Sequence, residues 1–438
     1  MTTTTLHPPT AAPATGVLAS LALATLLPSL AVSSANVALP TLAGELHSPF
    51  ADVQWVTLAY LLATTTLIVG AGRLGDLMGR RRVLLGGIAL FVAASAGGAL
   101  APGLGWLIVA RVMQGAGAAA MLALTMALVG SALPRSRAGS AMGLLGTMSA
   151  VGTALGPSLG GLLIATLGWP AIFAANVPLG ALAFVATWRW LPADGATRGR
   201  AGFDLPGMAW LAMALAAFAL AMTRQPALLV VAAMGMMGFV WIERRAASPL
   251  VRLDRLRDPA LGRGLAMNAL VSAVMMATLV IGPFHLGGAL GLGAAVVGAL
   301  TSVGPVVSAL SGVPAGRLVD RFGTRRTTLL GLAAMLAGCA LIAVLPASLG
   351  AMAYVGPLVV VTPGYALFQA ANNTAVMADV AADQRGVVSG LLTLSRNLGL
   401  ITGASALAAV FAAGGLRPSF VIATAMVVFA VGLASRAK

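Results

Sequence analysis

Long apolar runs, separated by short polar segments, follow one another along almost the whole chain of 438 residues. A bilayer core about 30 Å thick needs roughly 20 apolar residues per helix, and fourteen runs reach about that length. The pattern therefore predicts an all-α protein that crosses a membrane fourteen times, with both termini on one side. The predicted helices lie at about 16–40, 52–72, 83–101, 105–132, 138–166, 170–191, 205–222, 226–243, 263–286, 293–315, 327–345, 350–372, 386–412 and 417–435.

The composition agrees with a membrane protein and excludes several other classes. Hydrophobic residues make up 59% of the chain and charged residues only 8%, which is too little polar surface for a water-soluble fold of this length. The net charge of +15 comes from arginines between apolar runs with few aromatic residues among them, so no nucleic acid partner is predicted. The single cysteine, Cys339, excludes an internal disulfide, and no metal, cofactor or enzyme motif is found.

The basic residues are distributed very unevenly between the two sides of the predicted helices. Arg111 and Arg396 lie inside helices, and only Arg224 and Arg417 lie in one set of alternate connections. All the other basic residues lie in the opposite set or in the C-terminal tail. The positive-inside rule makes the crowded side, and both termini, cytoplasmic. Abundant alanine, glycine and arginine suggest a GC-rich bacterial genome, and hence a bacterial cytoplasmic (inner) membrane.

The chain contains an internal repeat. The charged segment 72–81 returns at 316–325, and a glycine-rich segment around Gly152 and Gly156 returns around Gly399 and Gly403. Both pairs have nearly the same offset, which predicts two six-helix bundles, residues 1–191 and 263–438, joined by a two-helix insert within residues 192–262. Each of the two charged segments is predicted to be a tight loop that joins two helices. Their candidate residues are Gly72, Asp76, Gly79, Arg80, Arg81, Gly316, Asp320 and Arg325.

Two groups of residues inside the predicted helices suggest function. An arginine in mid-membrane costs about 2.5–3.5 kcal/mol, so Arg111 should have a partner, and Gln114 lies on the same helix face; the alternative is a side chain that reaches the headgroups. The second group combines small residues, spaced about one helical turn apart, with a proline that would kink the helix. Generic helix packing would also explain this pattern. It consists of Gly152, Gly156, Pro157, Gly160 and Gly161.

Other polar residues within the apolar runs are candidates for a cavity between the bundles. For each of them, hydrogen bonding between helices is the alternative use. These residues are Asn36, Tyr60, Asn268, Tyr365, Gln369, Asn372, Asn373 and Arg396.

Together, these motifs resemble the major facilitator superfamily and, within it, the fourteen-helix drug/proton antiporter branch. The likeness rests on the two charged loops, on the segments 110–117 and 152–161, and on shorter pieces such as Asn36 to Pro40. It implies a secondary active transporter that exports amphiphilic or drug-like compounds by alternating access in exchange for protons. Its partners would be a small-molecule substrate, protons and the lipid bilayer, and it would act as a monomer.

The resemblance also implies roles for individual residues. Asp76 would be a latch that packs against the other bundle when the cytoplasmic side is shut, with Asp320 as its weaker counterpart. Arg111 would take part in proton transfer or substrate binding, and Gly156 would belong to the exporter motif.

One position departs from the branch. The first helix often carries an aspartate shortly before the Asn-Val-Ala-Leu-Pro segment, and this chain has Ala31 there. A buried carboxylate is the usual partner of a lipophilic cation and a convenient proton carrier. Its absence favours a neutral, amphiphilic or anionic substrate. Two alternatives therefore stay open: a dedicated metabolite or lipid carrier, and a non-transporting membrane scaffold or sensor.

Overall fold

The computed structural model describes residues 14–132, 135–194, 204–246, 258–378 and 385–436. Within them the regular structure is entirely helical, which confirms the predicted all-α class. The helices are α1 Ala14–Glu45, α2 Phe50–Val53, α3 Trp55–Met78, α4 Arg80–Ala99, α5 Leu104–Ala132, α6 Arg135–Leu167, α7 Pro170–Ala174, α8 Asn176–Trp190, α9 Leu205–Thr223, α10 Leu228–Glu243, α11 Pro259–Phe284, α12 Ala294–Val344, α13 Met352–Met377, α14 Arg385–Thr402, α15 Ala408–Gly414 and α16 Leu416–Ser435.

The number of membrane spans differs from the sequence prediction. Twelve helical segments among the described residues are long and apolar enough to cross a bilayer, so the count does not support fourteen. Two features cause the difference. α10 has only 16 residues, fewer than the roughly 20 that a bilayer core needs. α12 covers two of the predicted helices, which meet at a kink at Gly323, where the backbone is not helical.

The helices form two groups that share one packing plan. α1 to α8 pack among themselves, α11 to α16 do likewise, and α9 pairs with α10. A Cβ atom added to Gly117 on α5 would lie 2.6 Å from the carbonyl oxygen of Gly87 on α4. At the repeated positions, a Cβ on Gly364 would lie 2.7 Å from the carbonyl oxygen of Gly331. The internal repeat therefore extends from the sequence to the contacts between helices.

The two ends of the helix bundle carry different charge. One end holds Arg80 to Arg82, the break at Gly323 and the C-terminal end of α16, and we call it the arginine-rich end. The opposite end holds α2, Arg224 and Arg417, and we call it the arginine-poor end.

Candidate functional site

The first charged loop is a tight turn between α3 and α4. Gly79 has φ +104°, a backbone conformation that residues with a Cβ rarely adopt. Asp76 pairs with Arg80, whose Nη2 lies 2.9 Å from Oδ1 of the carboxylate. Arg80 also donates from Nη1 to the carbonyl oxygen of Ala127 on α5, at 3.1 Å. The loop is thus fixed to its own helix group, and the Asp76 side chain is half-exposed.

The N-terminus of α4 is capped by a residue that the sequence motifs did not suggest. The carboxylate of Asp194, beyond the end of α8, accepts from the backbone N–H groups of Arg81 at 2.8 Å and Arg82 at 3.0 Å. A helix N-terminus attracts negative charge, so this position stabilises the turn. A Cβ on Gly79 would lie 2.5 Å from Cγ of Asp194. Glycine is therefore needed here for space as well as for backbone conformation.

The second charged loop keeps the turn and loses the ion pair. Gly323 has φ +78°, but nothing lies within 4 Å of an added Cβ. Thr324 takes the place of Arg80, and Asp320 is exposed, with no ion pair among the described residues. One contact is repeated: Arg325 donates to the carbonyl oxygen of Ser435 on the last helix of its group. In the first copy, Arg81 donates to Trp188 O in the same way.

Arg111 is fully buried, so it does not reach the headgroups. Its Nε donates to the carbonyl oxygen of Val56 at 2.8 Å, and Nη1 donates to Oε1 of Gln114. Gln114 in turn donates to the hydroxyl of Ser95 at 2.8 Å. The guanidinium carbon lies 4.3 Å from the centre of the Tyr60 ring, close enough for a cation–π interaction. The structure therefore brings together Arg111, Gln114 and Tyr60, three of the predicted site residues.

The charge of this arginine is not matched by a carboxylate in the described part of the chain. The ion pairs there join Arg80 to Asp76 and Arg224 to Asp52. Nη2 of Arg111 has no hydrogen-bond partner, and Nη1 points to the carbonyl oxygen of Ala31 at 3.5 Å. Position 31, where the antiporter branch often has an aspartate, is thus adjacent to the guanidinium. A buried charge without a carboxylate partner is costly, which makes Arg111 a candidate for a functional role.

The glycines on α6 serve two different helix contacts. A Cβ on Gly152 would lie 2.5 Å from the carbonyl oxygen of Leu26, and one on Gly156 would lie 2.7 Å from Cβ of Ser33, both on α1. Gly160 likewise faces Ser34, so these three glycines let α1 and α6 pack closely within one group.

Gly161 makes a contact of another kind, because it reaches the other helix group. An added Cβ would lie 2.5 Å from the carbonyl oxygen of Ala294 and 2.9 Å from Cα of Gly298, both on α12. A Cβ on Gly298 would in turn clash with the carbonyl oxygen of Pro157. The crossing of α6 and α12 near the arginine-poor end is therefore a glycine-on-glycine contact between the two groups.

Three of the remaining polar candidates hydrogen-bond to neighbouring helices. Asn36 accepts from Thr57, and Asn268 and Asn372 donate to the backbone carbonyls of Leu392 and Gly264. These bonds tie helices together, which is the alternative use considered above. Gln369 donates to the hydroxyl of Tyr365 at 2.9 Å, and both are half-buried on α13. Asn373 and Arg396 are exposed.

Comparison with known proteins identifies the family. The model of the Major Facilitator Superfamily matches residues 21–404. The chain belongs to this superfamily. Among its relatives, the uncharacterized transporter YebQ of Escherichia coli is 30% identical over 385 residues, which cover 85% of this chain and 84% of YebQ. The multidrug resistance protein Stp of Mycobacterium tuberculosis is 31% identical over 389 residues, covering 86% of this chain and 72% of Stp.

A solved structure supports the same fold. This superfamily member superposes on the xylose transporter XylE from E. coli, in a partially occluded inward-open conformation, with a TM-score of 0.68. The match covers 95% of this chain and 96% of XylE at 13% identity, so it shows the fold alone. The predicted major facilitator fold is thereby confirmed, without the predicted count of fourteen helices, and the membership in a transporter family rests on the family model.

Several residues at the interface between the helix groups were missed by sequence reasoning. Phe50 on α2 packs edge-to-face against Phe284 of α11, with ring centres 4.4 Å apart, and lies 5.9 Å from Phe411 of α15. Gly298, at the same interface, and Asp194, which caps α4 within the first group, were missed as well. Phenylalanines and single glycines are common in membrane helices, so their sequence gave no signal. Asp194 is an acid directly before a basic linker, and it would have been a reasonable capping candidate.

Proposed function

We propose that this protein is a secondary active transporter that exports small amphiphilic or drug-like compounds by alternating access, in exchange for protons. The observation that carries the proposal is the contact between the two repeated helix groups. It includes a close approach of small residues, with Gly161 on Gly298 at the arginine-poor end. Such a contact lets two rigid groups rock about the midplane. The multidrug resistance relative supports an exported substrate of this kind.

The exposure of α12 supports a state that is open on one side. On the face of α12 that holds Gly298, Thr301 and Pro305 are buried near the arginine-poor end, whereas Gly312, further toward the arginine-rich end, is exposed. We infer that the two groups meet at the arginine-poor end and separate toward the other. With the arginine-rich end on the cytoplasmic side by the positive-inside rule, this state would receive solutes from the cytoplasm.

We further propose fourteen membrane crossings, with residues 1–191 and 263–438 as the two bundles, residues 192–262 as the insert, and both termini cytoplasmic. At 1.5 Å per residue, the 51 residues of α12 would extend about 75 Å as one helix, far beyond a single bilayer. Gly323 would be the turn between two crossings. α10 would cross by local thinning of the bilayer. Thiol labelling should place residues 73–82 and 317–326 on the same face, and opposite faces would refute this topology.

A dedicated carrier for an anionic or neutral metabolite, or for a lipid, is the second candidate. It is favoured by Arg111, which is buried without a carboxylate partner among the described residues, and by Ala31 beside it. Purified protein in proteoliposomes should be given a chemically diverse panel of solutes, with pH and sodium gradients imposed separately. Uptake of several unrelated amphiphiles driven only by the pH gradient supports the exporter. Uptake of one solute class supports the carrier, and no uptake at all supports a scaffold or sensor.

A further inference from the structure

The end of α9, in the insert, is tied to the short helix α2. Arg224, directly after α9, donates from Nη2 to Oδ1 of Asp52 at 2.7 Å. The preceding residue, Thr223, accepts from Nε1 of Trp55 at 3.3 Å. Arg224 is also one of the two basic residues that break the charge asymmetry of the chain. The ion pair with Asp52 gives a specific reason for an arginine at this end.

The other side of α2 holds the two helix groups in contact. Phe50 lies on the same turn of helix as Asp52, and its ring packs on Phe284 and Phe411 of the second group. Edge-to-face ring pairs add stability beyond the area that they bury. Phe50 is therefore a wedge between the groups, placed within one turn of the residues that the insert holds.

The insert is itself firmly packed and contacts both groups. α9 packs against α3 of the first group and against the π-helical segment Gly403–Leu407 of the second. α10 lies close on α9, since a Cβ on Gly235 would be 2.9 Å from Cα of Ala214. The tie to α2 thus begins from a fixed support rather than from a loose loop.

We propose that the two-helix insert is a clamp on the gate at the arginine-poor end. Through the pairs Arg224–Asp52 and Thr223–Trp55 it holds Phe50 between the two groups, and it thereby slows the opening of this end. The inference rests on the proposed alternating access, and it adds a regulatory role for the extra helices. Arg224 and Asp52 are positioning residues that act through Phe50.

Pulsed EPR distances test the clamp without any substrate. Spin labels at Glu45→Cys and Ala289→Cys, both exposed and one in each group, would report opening of the arginine-poor end in nanodiscs. The buried Cys339 is first replaced by alanine. Arg224→Gln and Asp52→Asn should each raise the ratio of open to closed populations about two- to fivefold, the range for losing an exposed ion pair. The double variant should show no further increase, because either change removes the same bond.

Arg417→Gln is the matched control, because it removes the other basic residue at this end and should leave the distances unchanged. Trp55→Phe with Thr223→Val removes the second tie without changing charge and should also favour the open population. The clamp is overturned by an unchanged distance distribution in all these variants, or by an equal shift in Arg417→Gln. A shift without measurable flux in proteoliposomes would instead support the clamp and count against the transport function.

Discussion

A methyl group added to Gly161 should bias the protein toward opening at the arginine-poor end. The Cβ of Gly161→Ala would lie 2.5 Å from the carbonyl oxygen of Ala294 and 2.9 Å from Cα of Gly298. Both neighbours are backbone atoms, which cannot turn aside as a flexible side chain would. The clash exists only while α6 and α12 are in contact, so the substitution destabilises the closed state and leaves the open state almost unaffected.

The size of the effect follows from the cost of overpacking. Forcing an extra carbon into a well-packed contact costs about 1–3 kcal/mol, and each 1.4 kcal/mol changes an equilibrium tenfold. The ratio of open to closed molecules should therefore rise by a factor of about 5 to 150. Gly156→Ala is the matched control, since it adds the same methyl group against α1 within one helix group. It should lower thermal stability without changing the balance between the two states.

The assay is the rate at which an impermeant maleimide, added from the arginine-poor side, reacts with Ser302→Cys in a Cys339→Ala background. Ser302 is 7% exposed and lies one helical turn from Gly298, to whose carbonyl oxygen its hydroxyl donates at 2.8 Å. Faster labelling in Gly161→Ala than in the parent would confirm the reasoning. Equal rates in the two proteins, or the same acceleration in Gly156→Ala, would refute it.

Three further predictions concern the buried arginine and the charged loops. Arg111→Lys loses the planar fork that bonds several acceptors at once, at a cost of about 1–3 kcal/mol, so proteoliposome flux should fall by a factor of about 5 to 150. Unchanged flux would exclude a role in transport. Gly79→Ala should lower the melting temperature more than Gly323→Ala. Both positions have positive φ, but only at Gly79 would the added Cβ also clash with Asp194. Equal losses of melting temperature in the two variants would show that the Asp194 side chain moves aside at little cost. Asp194→Ala should cost about 1 kcal/mol of stability, as for a lost helix cap, while Asp76→Asn should cost less because its ion pair is half-exposed. If Asp76→Asn also leaves flux unchanged, the proposed latch is wrong.

The agreement between sequence and structure is strongest where local patterns decide the outcome. Apolar runs predicted helices, and the repeated Gly-Arg-Leu segment predicted two equivalent turns, which Gly79 and Gly323 confirm. Arg111 was expected to need partners, and Gln114 is one of them. The predicted number of spans was not supported. A helix of 16 residues and a break of one glycine both lie at the limit of what hydropathy distinguishes.

What the sequence by itself determined was the membrane environment, the helical class, the duplication and the charged turns, because each depends on residues that are near one another along the chain. Only the tertiary structure decided that Asp194 caps α4, that Gly161 meets Gly298 and that Phe50 lies between the two groups. These contacts join segments that are distant in sequence. Glycines and phenylalanines occur throughout the chain, so their presence does not mark these contacts. Their partners are set by how the helices dock, and no local pattern records that choice.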